Sequence, residues 1–273
     1  MRPRVEPGRP RSPRLSSGAL LRAFSVLVYL FLLAPLVVVV LASFNSADFL
    51  TFPPRGLSLR WYASLFQSDL WTESFKLSFL VMALVTPLSL LIGTPAAYGL
   101  SRYRFPGRGL IEALIMSPLV MPQVVLGIAL LNYFSEWGLI NTVVGLIIAH
   151  VVVALPYTVR LISISVHGLD PGLERAAQSL GANPVQSFLR VTLPLLRPGL
   201  IAGAVFAAII SFGELAVTLL IAGASTTTLP MRIFNYTEYN FDPTINAVST
   251  IFVVLALILI IVLDRLIGLA RLG

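Results

Sequence analysis

Six long apolar runs, divided by short polar stretches, organise this chain: roughly 20–43, 76–100, 110–134, 139–165, 197–222 and 245–268. Each is long enough to cross a bilayer as a helix, which takes about 20 mostly apolar residues. Together they fill most of the 273 residues and leave no room for a separate soluble domain. The pattern predicts an all-α membrane protein, a bundle of six spanning helices. Prolines interrupt the runs at Pro35, Pro87, Pro95, Pro118, Pro122 and Pro156. In a bilayer neighbouring helices can re-satisfy the backbone groups that a proline frees, so kinked spans are expected. Gly199, Gly203, Ala207 and Ser211 recur every four residues. Such a small-residue stripe permits close helix approach, either inside the subunit or between subunits.

The polar loop at 166–196 is the most structured of the connections. Asp170 suits an N-cap and Pro171 the first helical position. Gly181 suits a stop. A second start follows at once, with Asn183 as cap, Pro184 at the first position and Gln186 closing a capping box. The loop therefore predicts two short helices at a bend. Leu173, Ala176, Ala177 and Leu180 share one face of the first; Val185, Phe188 and Leu189 share a face of the second. An elbow of this kind on a membrane protein is expected to insert into a partner.

Charge sets the orientation. Of the 19 basic residues, 15 fall on one side: Arg2, Arg4, Arg9, Arg11, Arg14, Arg22, Arg102, Arg104, Arg108, Arg160, Arg175, Arg190, Arg197, Arg265 and Arg271. Arg55, Arg60, Lys76 and Arg232 fall on the other. The positive-inside rule then predicts both termini and the elbow in the cytoplasm. The net charge of +7 is a topology signal, so nucleic acid need not be invoked as a partner. Residues 1–19, rich in Arg, Pro and Ser, are expected to be a disordered cytoplasmic tail ahead of a transmembrane domain at 20–273. The apolar run behind them is too long for a signal-peptide core. With no cysteine there is no disulfide or thiol chemistry.

Candidate chemistry is sparse. The sole lysine, Lys76, stands in Ser-Phe-Lys-Leu-Ser with no glycine nearby, so the chain has no phosphate-binding loop. His150 and His167 have no metal-ligand spacing around them, and His150 reads as a hydrogen-bonded packing residue. No cofactor, metal or catalytic constellation is called for. Aromatic residues gather in the outer segments: Trp61, Tyr62, Phe66 and Trp71, then Phe234, Tyr236, Tyr239 and Phe241. They fit an interfacial belt or a docking surface for an external protein. The exceptional residue is Glu214, deep in the fifth run. A charge at mid-membrane costs about 2.5–3.5 kcal/mol on insertion scales and usually faces the bundle interior or a watery path. Ser211 and Thr218, three before and four after it, can share its helix face and bond its carboxyl. The carboxyl is either a protonated, locally satisfied group or a polar point on a substrate path.

The elbow resembles the EAA loop of ABC-transporter permeases: Glu-Ala-Ala, three residues, Gly, nine residues, an aliphatic residue, one residue, Leu-Pro. Ala176, Ala177, Gly181, Val191, Leu193 and Pro194 fall in register. Arg175 occupies the Glu position, and a carboxylate stands one residue earlier, at Glu174. Four further stretches resemble the spermidine/putrescine branch: Phe-Pro-Pro-Arg-Gly-Leu-Ser-Leu-Arg-Trp-Tyr (52–62), Ser-Phe-x-Glu (211–214), Thr-Leu-Pro (228–230) and Asp-Pro-Thr-Ile-Asn-Ala-Val-Ser-Thr (242–250). Position 213, often acidic in that branch, is Gly213 here.

The resemblance implies a type I importer permease in a bacterial inner membrane and no enzymatic activity. It implies two ATPase subunits gripping the elbows, a second permease, preferably a different one, and an extracytoplasmic binding protein. The residues implied in ATPase coupling are Leu173, Glu174, Arg175, Ala176, Ala177, Leu180, Gly181, Leu193 and Pro194. Ser211, Glu214 and Thr218 are the candidates for the substrate path. A polyamine is the favoured solute; iron, thiamine or phosphonate are alternatives. An ion-coupled secondary transporter would instead need repeat symmetry and several intramembrane ionisable residues.

Overall fold

The computed structural model describes residues 17–240 and 242–267. Residues 1–16, Phe241 and Arg271 lie outside the described residues, and with them most of the expected tail. The first helix, α1 (Ser17–Ser43), starts before the tail's expected end. The others are α2 (Arg60–Gln67), α3 (Asp69–Arg102), α4 (Arg108–Val120), α5 (Gln123–Glu136), α6 (Val143–His167), α7 (Pro171–Ser179), α8 (Pro184–Ser187), α9 (Leu193–Leu195), α10 (Arg197–Gly213), α11 (Ala216–Ile221), α12 (Leu229–Tyr239) and α13 (Thr244–Ile267). Among the described residues the only β pairing is one isolated bridge, Asn45 to Leu57.

Three helices are long and apolar enough to cross a membrane: Leu20–Ser43 within α1, α3 and α6. Counting each bent pair, α4 with α5 and Pro184–Leu195 with α10, as one span raises the number to five. The apolar α13 holds the sixth expected place.

Two expected spans are broken. The run 110–134 is not one helix, because α4 and α5 meet at 113°. Met121 sits at the bend with φ −76° and ψ 138°. It precedes Pro122, and proline's ring disfavours the helical conformation in the residue before it. The run 197–222 is also two helices. Glu214 is extended there, with φ −69° and ψ 119°, and α11 starts two residues later. Glu214 thus ends a helix rather than riding on one.

Helices α3, α6 and α10 pack on one another as the centre of the bundle. The small-residue stripe of α10 is what lets it lie against α6. A Cβ on Gly199 would approach Ile162 Cα to 3.3 Å, and one on Gly203 would approach Thr158 Cγ2 to 3.3 Å. The stripe is used inside the subunit. Helix α5 packs on α11, and the main apolar cluster draws on α3, α5, α6 and α11, with Val81, Val85, Leu126, Ala149, Val217 and Ile221 among its members. Gly127 permits this, since a Cβ there would approach Val217 Cα to 3.4 Å. At the end of the bundle away from Tyr98, Trp71 is buried and meets Tyr236 edge-on at 5.2 Å, while Trp61 donates to the Asn45 carbonyl at 2.9 Å. These aromatics pack a cap over the bundle. Phe66 and Tyr239 remain exposed.

Candidate functional site

The elbow forms as its capping residues predict. Asp170 accepts from Gly172 N at 2.8 Å, and Asn183 and Gln186 close a reciprocal box at 2.8 and 3.1 Å. Gly181 turns the chain with φ +94°, a left-handed conformation that a Cβ makes costly. A π-helical turn, Phe188–Thr192, follows α8. It closes by Leu193 N donating to Phe188 O, and it precedes Pro194, which has no N–H to continue an α-helical ladder.

The apolar residues of the elbow divide. Leu180 is 90% exposed, and Leu173, Val185 and Leu189 are exposed too. Phe188 leaves the face expected to hold it with Val185 and Leu189. It turns inward onto the Tyr98 ring, centroids 4.9 Å apart. Ala176 and Arg175 are exposed, and Ala177, Leu193 and Pro194 are half-buried.

Glu174 is half-buried and points the other way. Its Oε2 accepts from the Tyr98 hydroxyl at 3.0 Å and its Oε1 from the Thr192 hydroxyl at 2.7 Å. Arg102 Nη2 lies 3.8 Å from Oε1. In the sequence Arg102 is one charge among many, and Tyr98 and Thr192 carry no mark of this contact.

At mid-bundle the two helix breaks meet. Glu214, 4% exposed, caps α11 by accepting from Val217 N at 2.9 Å. Gln123, at the start of α5, reaches its other oxygen at 3.5 Å. Ser211 and Thr218 do not bond the Glu214 carboxyl as expected, because the break removes the continuous helix face they would have shared. They bond His150 instead, at 3.1 Å to Nδ1 and 3.0 Å to Nε2. The Thr218 hydroxyl gives its one proton to the Glu214 carbonyl at 3.1 Å. Nε2–H therefore donates to Thr218, and Nδ1 accepts from Ser211. His150 staples the last turn of α10 to the first turn of α11 and is a packing residue, as its sequence context indicates.

This break forms the wall of an open concavity of ≈ 660 Å³. Gln123, Tyr157, Gly213 and Glu214 supply its polar and flexible lining beside Ile210 and Leu220. Gln123 and Tyr157 were not singled out from the sequence. The available signal was a polar side chain placed directly after Pro122.

Residues 86–270 match the model of the binding-protein-dependent transport system inner membrane component family. The chain belongs to this family. It is a transport permease subunit and not an enzyme. It is 34% identical over 233 residues to the putrescine transport system permease protein PotI of Escherichia coli, covering 83% of each chain. It is 32% identical over 247 residues to the spermidine/putrescine transport system permease protein PotC of Haemophilus influenzae, covering 90% of this chain and 96% of that one. The fold resembles that in a bacterial ABC transporter involved in the import of the acidic polysaccharide alginate, with TM-score 0.75 at 18% identity over 95% of this chain and 99% of that one.

Membership makes this permease a multi-pass inner-membrane protein of a binding-protein-dependent system. The two constellations occupy separate places: the elbow lies in the connection between α6 and α10, and the Glu214 break lies between α10 and α11.

Proposed function

We propose that this permease imports a polyamine, and that the Glu214 break is a polar point on the route. The observation that carries the proposal is one carboxylate, nearly free of solvent contact, at the junction of two broken helices on the wall of the ≈ 660 Å³ concavity. Half of that carboxylate is committed to capping α11; the other oxygen has only a long contact from Gln123. An ammonium group passing the break would find an acceptor there, with Tyr157 alongside. The similarity to the putrescine permease PotI and the spermidine/putrescine permease PotC supports the solute class. Ser211 and Thr218 act behind Glu214, through His150, rather than on the solute.

In this reading the elbow is the ATPase contact. Leu173, Ala176, Leu180 and Gly181 present its outer side, and Arg175 stands there where the family pattern has Glu. Glu174, Ala177, Leu193 and Pro194 hold it to the bundle. Two ATPase subunits, a different second permease and an extracytoplasmic binding protein complete the transporter. Both termini are cytoplasmic: reporter fusions near 106 and 180 should report inside, and those near 60 and 236 outside.

The deciding experiment is uptake by the reconstituted complex of this permease with its ATPase, partner permease and binding protein. Labelled spermidine or putrescine should enter proteoliposomes only with ATP. Uptake of ferric iron, thiamine or a phosphonate, with none of either polyamine, would overturn the assignment.

A further inference from the structure

We propose that Glu174 is a positioning residue that clamps the elbow to the cytoplasmic end of α3, making α3 a direct receiver of elbow motion. The inference rests on the elbow being the ATPase contact and goes beyond it. The elbow is joined covalently to α6 and α10. Nothing in chain connectivity ties it to α3, which ends more than sixty residues earlier. The tie is made by side chains: Glu174 meets Tyr98 and Arg102, Phe188 packs on the Tyr98 ring, and Arg102 bonds the Leu169 carbonyl.

Tyr98 and Arg102 are one turn apart on α3 and present the same face. The Glu174 carboxylate takes the Tyr98 hydroxyl on one oxygen and faces Arg102 from the other. That second oxygen also takes Thr192 in the π turn, and Ser187 Oγ donates to the Glu174 backbone carbonyl at 3.4 Å. Arg102 adds a bond to the Leu169 carbonyl at 3.1 Å, at the entrance to the elbow. The side chains of Arg102 and Glu174 are 16% and 17% exposed, so the pair is largely withdrawn from water. Partial desolvation strengthens such charge-assisted contacts.

Helix α3 can carry displacement further. It is the longest described helix and runs unbroken for 34 residues. From Tyr98 back to Ser74 it spans about 36 Å at 1.5 Å per residue. At that far end Ser78 Oγ accepts from Leu229 N at 2.7 Å, and Ser74 Oγ accepts from Arg232 Nε at 3.2 Å. Both donors belong to α12 at the outer face. Hydrogen-bonded contacts and one continuous helix, with Pro87 and Pro95 inside it, thus join the elbow to the outer cap without passing through the Glu214 break.

The test compares Glu174→Ala, Glu174→Gln, Tyr98→Phe and the Glu174→Ala/Tyr98→Phe pair with Leu180→Glu, all in the reconstituted complex. Two quantities are measured: ATPase subunit co-purified, and ATP hydrolysed per solute imported. A merely structural role would alter the first and leave the second unchanged for complexes that assemble. The clamp predicts wild-type co-purification for Glu174→Ala and a rise in ATP per solute of roughly fivefold or more, the lower range of coupling energies. Glu174→Gln should fall between, because its carbonyl still accepts one hydroxyl. The double variant should be no worse than Glu174→Ala, since both remove the same link. A wild-type ratio in Glu174→Ala, with assembly lost in Leu180→Glu, would overturn the clamp and leave the docking reading standing. Normal assembly of Leu180→Glu would overturn both. Should Glu174→Ala fail to assemble, Tyr98→Phe decides alone: a raised ratio supports the clamp and an unchanged one rejects it.

Discussion

The elbow and the mid-bundle break each turn the chain beside a carboxylate, yet they are built in different ways. The elbow's turns are specified by residues a few positions apart: Asp170 with Gly172, Asn183 with Gln186, Gly181 alone. The break is specified by segments far apart, with Gln123 reaching Glu214 across 91 positions and His150 reaching Ser211 and Thr218 across 61 and 68. A turn in water can rely on local capping, because solvent satisfies whatever the caps miss. A turn inside the bundle has little such solvent, so its freed groups need protein partners: Glu214 caps Val217 N locally, and Gln123 and His150 reach in from other helices. The elbow is therefore a surface that is free to be covered. The break is a junction already held from behind.

The sharpest way to break the comparison is to damage the surface alone. Leu180→Glu puts a charge on a leucine that is 90% exposed and contributes little to the permease's own packing. Its loss should fall on assembly, weakening ATPase retention by roughly thirtyfold or more, as for an interface hot spot. Gly181→Pro should do the same by another route, since proline's φ near −65° cannot supply the observed +94°. Pull-down of the ATPase subunit from membranes reads both. Full retention in both variants would mean that the elbow is not the contact.

At the break, the matching experiment should leave assembly alone and alter transport. Glu214→Gln keeps a carbonyl that can accept from Val217 N and so preserves the cap on α11. Replacing a charge-assisted contact by a neutral one should lower uptake of a cationic solute by about tenfold. Co-purification of the ATPase should not change. Normal uptake in Glu214→Gln, together with loss in Glu214→Leu, would assign the carboxyl to capping only.

How much of each region could be read from the chain follows from the same contrast. The caps, the stop at Gly181 and the exposed Leu180 are local facts and were legible. So was the importance of Glu214, because an acid in an apolar run is conspicuous. Its surroundings were not legible. A continuous helix was assumed through 214, which put Ser211 and Thr218 on its carboxyl; the break gave them to His150. The bend at Met121–Pro122 had a signal in its prolines, yet proline is common in spanning helices and does not by itself separate a kink from a 113° turn. The Glu174 contacts could not be foreseen either. A helix end such as Tyr98–Arg102 carries no mark of which loop will meet it, and only tertiary packing supplied the partner.

A smaller effect should come from His150→Ala. It removes two contacts that hold α10 to α11, each worth about 1–2 kcal/mol at most between membrane helices. Thermal unfolding of the purified transporter should move down by a few degrees, with uptake reduced less than in Glu214→Gln. His150→Asn, which can still donate and accept, should recover part of the loss. An unchanged melting temperature in His150→Ala would mean that α5 and α13, not the staple, hold the break.

The smallest effect belongs to Arg175→Glu, and it tests which elbow carboxylate matters. Arg175 is exposed, and among the described residues its guanidinium makes no hydrogen bond or ion pair. Restoring the family's usual residue there changes nothing inside the permease. An exposed charge alters an interface by about 0.2–1 kcal/mol, so transport should stay within roughly fivefold of the parent. Glu174, one position earlier, is already spent on Tyr98, Thr192 and Arg102, so a second acid at 175 would face outward to the ATPase. A loss as deep as that in Leu180→Glu would mean that the partner surface carries a carboxylate matched to Arg175. The elbow would then be a charge-selected surface, and the contrast with the break would rest on electrostatics as well as on packing.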